Sequence, residues 1–293
     1  MQNDECRMKN KKRRIIPAKN IGFCFGVRRT VEMAQGILAE KGCLASIGDI
    51  VHNPDVMHLL KSRGLAVVTK PGDVRRRDFI IRSHGLSPCI VNALAGRKVR
   101  IHDATCPYVK KLQGTIKRLD KDDYFIIIIG DAQHPEVQAL RDFGRNVLVV
   151  APGKPVTKRS VRCRKLAIVG QTTLSFDEYA AGVRAVVDKA DCGEVRIFNT
   201  ICKVTEQRQE EARRLSRNAD CMIVCGGRKS ANTRKLYQVC RRENRQAYRI
   251  ESLDELRQLD LSGCARIGIT SGTSTSGEFI DKVVQYLKGY FSN

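Results

Sequence analysis

The amino-acid sequence predicts an α/β protein of three related modules with mostly parallel sheets. Three observations carry that prediction. Apolar runs alternate along the chain with helical patterns. The apolar runs are continuous rather than alternating, as in strands covered on both faces. Finally, Cys24, Cys106 and Cys202 each stand where an extended run stops and an amphipathic helix begins. The intervals between them, 82 residues from 24 to 106 and 96 from 106 to 202, are each about one small α/β module. The expected modules are 26–106, 107–200 and 201–293, with a first strand near 14–25 joining the third. Residues 1–13, which include KNKKR, read as a basic, disordered arm.

In chain order, IIPAKNIGFC ends at Cys24, after which Val27, Val31, Ala34 and Leu38 fall on one helical face. DFIIRSHG (78–85) is an apolar strand entering a polar loop. VRIHDATC leads to Cys106, followed by Val109, Leu112, Ile116 and Leu119 at helical spacing. YFIIIIGDAQHP (124–135) and KLAIVGQTT (165–173) repeat the strand-to-loop pattern. VRIFNTIC leads to Cys202, behind which Val204, Ala212 and Leu215 make a weaker helical face. CMIVCGGRKSANT (221–233) and ARIGITSGTS (265–274) complete the strands. Ligands of such sheets gather at the carboxyl ends of the strands, so function is sought in these loops.

Composition limits the classes of function. The 293 residues are 42% hydrophobic and 29% charged, a soluble globular balance. No run approaches the roughly 18 apolar residues of a membrane span. Basic residues near the start precede no apolar signal core, so the expected location is the cytoplasm. Twelve cysteines there point to reduced thiols and a metal or redox role. Cys163, Cys221, Cys225 and Cys264 read as core or surface fillers. A formal charge of +22 suits nucleic acid, a phosphorylated small substrate or an acidic protein partner. Charges spread along the whole chain, 5% aromatics and no nucleic-acid-binding motif weigh against the first.

A thiol at a helix N-terminus meets unpaired N–H groups and the positive end of the helix dipole, which favour the metal-binding thiolate. The chain has no paired CxxC of zinc-ribbon spacing, no ferredoxin cysteine run and no HExxH, so a metal here is assembled from distant segments. The plainer reading is three small side chains that simply end strands. His52, His84 and His134 sit at strand or loop ends and together favour an anion, whereas His58 and His102 fall inside a helix and a strand as structural residues. Glu136 follows Pro135 in a first helical turn, which is either an ordinary helix start or a general acid. Ser230, Asn232 and Ser274 read as N-caps or as donors to phosphate oxygens, and Thr172 has the same double reading. A competing reading of the charge is a basic nucleic-acid-binding protein with a structural zinc on the same cysteines.

GFCFGV, IVHNPDV, SHG, DATCP, HPEV, QTTLS, NTICKVTEQRQE, KSAN and SGTS occur in this order from about residue 15 to the C-terminus. As a set they closely resemble the LytB/IspH family of 4-hydroxy-3-methylbut-2-enyl diphosphate reductases. The resemblance implies an iron–sulfur enzyme at the end of the non-mevalonate isoprenoid pathway, with the three modules arranged around a central cluster. It implies one [4Fe-4S] cluster per chain on Cys24, Cys106 and Cys202, with one iron lacking a protein ligand. Two-electron reductive dehydroxylation of the allylic diphosphate would give isopentenyl and dimethylallyl diphosphate. Glu136 matches the proton donor, and Thr172 and His134 complete the catalytic set. His52, His84, His134, Thr172, Ser230, Ala231, Asn232 and Ser274 match the substrate-binding residues. Ala231 stands where many members have a serine, and Ser276 where a proline is common, which leaves the orientation of Ser274 open. With no GxGxxG fingerprint after a strand, electrons come from outside; a ferredoxin or flavodoxin is the family's kind of donor.

Overall fold

The computed structural model of the chain describes residues 13–156 and 161–292. Residues 1–12 of the expected basic arm lie outside the described residues. In chain order the elements begin with strand β1 (Arg14–Pro17), helix α1 (Phe25–Lys41), β2 (Leu44–Ile47), α2 (Pro54–Ser62), β3 (Leu65–Val68) and β4 (Asp78–Ile81). They continue with α3 (Pro88–Ala95), β5 (Arg100–Asp103), α4 (Pro107–Lys121), β6 (Phe125–Ile129), α5 (Pro135–Arg141), β7 (Val147–Val150) and β8 (Lys165–Gly170). Then come α6 (Phe176–Val187), β9 (Glu194–Ile197), α7 (Lys203–Asn218), β10 (Cys221–Cys225), α8 (Ala231–Glu243), β11 (Ala247–Ile250), α9 (Leu253–Arg257), β12 (Arg266–Ser271) and α10 (Gly277–Ser292).

The strands form three four-stranded sheets of orders β3-β2-β4-β5, β7-β6-β8-β9 and β1-β12-β10-β11. Every pairing of named strands among the described residues is parallel. The chain divides into two compact units. Among the described residues, one holds 13–24, 52–54 and 206–292, and the other holds 25–51, 55–156 and 161–205. The larger unit contains the first two sheets and the smaller unit the third.

The apolar runs explain the inner strands. In β6, Ile126 to Ile129 are all fully buried, as a central parallel strand with helices on both faces requires. Burying each such side chain contributes roughly 1.5–3 kcal/mol. Ile127 and Ile129 join Leu166, Ile168 and Val186 on one face, while Ile126 and Ile128 join Leu112, Ile116 and Leu119 of α4 on the other. The predicted stripe of α4 is therefore its buried face. In α1, Val31, Ala34 and Leu38 are buried as expected.

The helix after Cys202 differs from its apolar pattern. The buried residues of α7 are Thr205, Arg208, Gln209, Ala212 and Ser216, four of them polar. Arg208 is 3% exposed, and its Nη1 donates to the carbonyls of Gly22 (2.9 Å) and Ser271 (2.8 Å). Paired this way, a buried guanidinium is tolerated, and it ties the segment before Cys24 to the end of β12.

Candidate functional site

In the larger unit, the residues after β4, β5, β6, β8 and β9 form one continuous set of contacts. Cys106 is the N-cap of α4 with Pro107 behind it, and its N–H donates to the carbonyl of Ser83 at 3.0 Å. The next residue, His84, meets His134 edge to face with ring centres 5.2 Å apart. His134 in turn is the N-cap of α5: its Nδ1 accepts from the Glu136 N–H at 3.2 Å. Pro135 occupies the first helical position, where its missing N–H costs nothing.

Glu136 is 1% exposed. One carboxylate oxygen accepts the Thr172 N–H and the other accepts the Thr172 hydroxyl, both at 2.8 Å. Among the described residues no cation pairs with it. Burial therefore pushes its pKa up, and the two hydrogen bonds from Thr172 only partly oppose that. A carboxyl group set this way keeps its proton more readily than an ordinary glutamate, as a general acid must. The carbonyl of Thr172 then accepts the N–H of Cys202 at 2.9 Å. Six expected site residues, Cys106, His84, His134, Glu136, Thr172 and Cys202, are thus linked through neighbouring contacts.

Gly26 adds a feature that the sequence did not disclose. A Cβ at this position would lie 2.8 Å from the Cys106 sulfur, so only glycine leaves that thiol its place. The Cys106 and Cys202 side chains are half-buried, and neither is in a disulfide.

The smaller unit gathers the remaining expected residues. The Cys24 N–H donates to the Thr273 carbonyl at 3.1 Å. Asn53, beside His52, donates Nδ2 to the Ser274 carbonyl at 3.1 Å, a link unforeseen from the sequence. The His52 carbonyl stands 3.1 Å from where a Cβ on Gly227 would be, so backbone closeness holds His52 to the loop after β10. That loop turns at Gly226 (φ +142°), where a side chain would also strike the Thr233 and Thr275 hydroxyls at 2.7 Å.

Ser230 is the N-cap of α8, its Oγ accepting the Thr233 N–H at 3.2 Å. Capping uses the lone pair and leaves the hydroxyl proton to donate elsewhere. Ala231 and Asn232 are the first two residues of α8, where backbone N–H groups lack a partner within the helix. Asn232 Nδ2 and Ser274 Oγ are buried and, among the described residues, have no hydrogen-bond partner. Buried donors without partners cost about 1–3 kcal/mol each, which an anion supplying acceptor oxygens would recover. Ser276 stands just ahead of α10, its Oγ accepting the Phe279 N–H at 3.3 Å.

His58 is exposed on α2, and His102 in β5 pairs with buried Asp78 at 2.6 Å. Both are outside these two groups, as expected. Among the described residues, no three His, Cys, Asp or Glu side chains stand close enough to hold a single metal ion.

Comparison with known proteins gives the family and does not support a nucleic-acid-binding protein with a structural zinc. The family described as LytB protein matches residues 15–288. A 4-hydroxy-3-methylbut-2-enyl diphosphate reductase of Geobacter metallireducens is 38% identical over 94% of this chain and 96% of its own length. One from Dictyoglomus thermophilum is 36% identical over 92% of the chain and 94% of its own. A solved structure described as (E)-4-hydroxy-3-methyl-but-2-enyl diphosphate reductase, the terminal enzyme of the non-mevalonate pathway, superimposes with a TM-score of 0.70 at 33% identity, covering 94% of this chain and 99% of that one. The corresponding reductase of Plasmodium falciparum superimposes with a TM-score of 0.84 at 27% identity, covering 94% and 88%.

Proposed function

This chain belongs to the LytB family, and from that premise we propose that it is a 4-hydroxy-3-methylbut-2-enyl diphosphate reductase. It reduces the (E)-allylic diphosphate with two electrons and two protons, releases water, and yields isopentenyl and dimethylallyl diphosphate in the cytoplasm. The observation that carries this reading is Glu136, a buried carboxyl group shifted toward its protonated form and oriented at both oxygens by Thr172.

Cys24, Cys106 and Cys202 are the residues that would hold a single [4Fe-4S] cluster, one thiolate to each of three irons. The donor set fits: thiolates are the usual cluster ligands, all three cysteines are outside disulfides, and Gly26 reserves space at the Cys106 sulfur. When bound, the cluster supplies electrons one at a time and a Lewis-acidic iron.

The protein residues do the remaining work. Glu136 gives its proton to the departing hydroxyl oxygen, and Thr172 holds the carboxyl group in that orientation. His134 fixes the first turn of α5 on which Glu136 rides. His52, His84, Ser230, Asn232 and Ser274, with the N–H of Ala231, hold the diphosphate; the partnerless donors on Asn232 and Ser274 support this assignment. Binding energy from the diphosphate positions the hydrocarbon end for reaction. The three modules with boundaries 26–106, 107–200 and 201–293 are part of the same proposal. No described helix is long and apolar enough to cross a membrane. An external ferredoxin or flavodoxin delivers the electrons, and the +22 charge suits an acidic carrier. Carrier-driven turnover should then slow as ionic strength rises.

The test is an anaerobic assay with a chemical reductant and the allylic diphosphate, with products identified by mass spectrometry. Isopentenyl and dimethylallyl diphosphate are expected from an iron-loaded, brown protein. Iron-loaded protein that leaves the substrate unchanged would overturn the assignment.

A further inference from the structure

We infer that Cys163 and Cys192 form a redox-active dithiol, a modification site that closes to a disulfide by exchange with a small oxidised thiol such as glutathione disulfide. This inference does not depend on the proposed reductase activity. The two cysteines stand side by side on neighbouring parallel segments. Arg162 and Asp191 make a parallel bridge just ahead of them, and the Cys163 N–H donates to the Asp191 carbonyl at 3.1 Å. Paired segments run about 4.8 Å apart, inside the roughly 4.4–6.8 Å span between Cα atoms that a disulfide bridges. The Cys192 side chain stands close enough to the Cys163 thiol to raise it, and both pack on the core that includes Val161, Leu166 and Val186.

A second thiol pair shows what makes the first one reactive. Cys221 and Cys264 also adjoin each other, but both are buried. Their contact raises the Cys221 thiol and lowers that of Cys264, so it is the burial of both sulfurs that keeps an incoming disulfide away. Exchange requires a thiolate that an incoming disulfide can reach. Cys163 and Cys192 are only half-buried. Burial, reinforced by Cys192, raises the Cys163 thiol as well, so its exchange is slower than that of a freely exposed cysteine.

The position gives the dithiol a structural consequence. Cys163 lies just ahead of β8, which leads to Thr172, and Cys192 just ahead of β9, which leads to Cys202. At the far end the Cys202 N–H donates to the Thr172 carbonyl. A disulfide would therefore fasten the near end of the same pair of strands whose far end carries two expected site residues. β9 is the edge strand of its sheet, held by β8 alone.

In the exchange one protein thiolate attacks a sulfur of glutathione disulfide and expels the first glutathione. The second protein thiolate then displaces the other glutathione as the Cys163–Cys192 bond forms. The pair loses two electrons, glutathione disulfide gains them, and the two thiol protons end on two reduced glutathiones.

The experiment incubates the iron-loaded protein anaerobically with glutathione disulfide, alkylates the remaining thiols and maps the proteolytic peptides by mass spectrometry. The peptides carrying Cys163 and Cys192 should emerge as one cross-linked species, two hydrogens lighter than their sum, while Cys221 and Cys264 are alkylated. In Cys163→Ser, Cys192 should instead retain a glutathione adduct, because the resolving thiol is gone. The proposal fails if both cysteines stay alkylated, if each carries its own glutathione in the unaltered protein, or if Cys221 and Cys264 close as fast.

Discussion

Glu136 and the Asn232–Ser274 group are both buried and polar, and the fold treats them in opposite ways. Both carboxylate oxygens of Glu136 are engaged by Thr172 within the protein. Asn232 Nδ2 and Ser274 Oγ are left without a partner among the described residues. The proposed proton donor is supported from inside, whereas the proposed diphosphate-binding groups are left with donors for a ligand to satisfy. The unsatisfied donors cost the fold stability, a common trade at binding sites.

Substitutions can break this contrast or sharpen it. The largest expected effect is on the metal centre that both groups are proposed to serve. Cys106→Ser should lose most of its iron and visible absorption, and Gly26→Ala should lose part of it through the clash with the Cys106 sulfur. Full iron retention in both variants would remove Cys106 from the ligand set. Next, Glu136→Gln should retain iron and substrate binding while turnover falls by about a thousandfold, the scale of a lost general acid. Near-normal turnover would end its role as the acid.

The same carboxyl group makes a prediction about stability. Its folded-state pKa is raised above the ordinary 4.5, so its contribution is present below pH 4.5 and is lost as pH rises through the folded value. Chemical denaturation of the two forms across this range should show Glu136→Gln gaining on the unaltered protein as pH increases. A difference independent of pH would contradict the direction of the shift.

The unsatisfied group should respond in the reverse sense. Asn232→Ala and Ser274→Ala should each raise KM about tenfold with a smaller change in kcat, because a hydrogen bond to a charged ligand contributes roughly 1.5–3 kcal/mol. Ser274→Ala without ligand should be no less stable than the parent, since it deletes a donor that has no internal partner. A clear loss of stability would show that the hydroxyl is structural. The smallest effect is a gain: Ala231→Ser adds a hydroxyl and should lower KM a few-fold, within the roughly 0.5–1.5 kcal/mol of an ordinary hydrogen bond.

The parallel sheets were legible because isoleucine and valine runs such as Ile126–Ile129 can be buried on both faces only in the middle of such a sheet. Pro135 and Glu136 announced the start of α5, and strand ends pointed to the loops whose residues Cys106, His84, His134, Glu136, Thr172 and Cys202 adjoin one another. Other features were set by tertiary partners that no local pattern encodes. Arg208 sits within the charged stretch EQRQEEARRL and looks solvated, yet the carbonyls of Gly22 and Ser271 draw it inside. Its neighbours on the buried face are polar, which is why the apolar period of α7 was faint. The fit of Gly26 to Cys106 and the pairing of Cys163 with Cys192 join residues 80 and 29 positions apart, beyond the reach of any helical or strand period.

The pairing of β1 with β12 has a consequence for how the protein is made. Among the described residues Arg14–Pro17 finds its only sheet partner at residues 266–269, and the Cys24 backbone is anchored to Thr273. At a synthesis rate of roughly 5–20 residues per second, the first strand waits on the order of tens of seconds for its mate to be translated. Throughout that interval the segment before Cys24 has no sheet edge to join, so the backbone around this cysteine is set only after the closing strand has been translated.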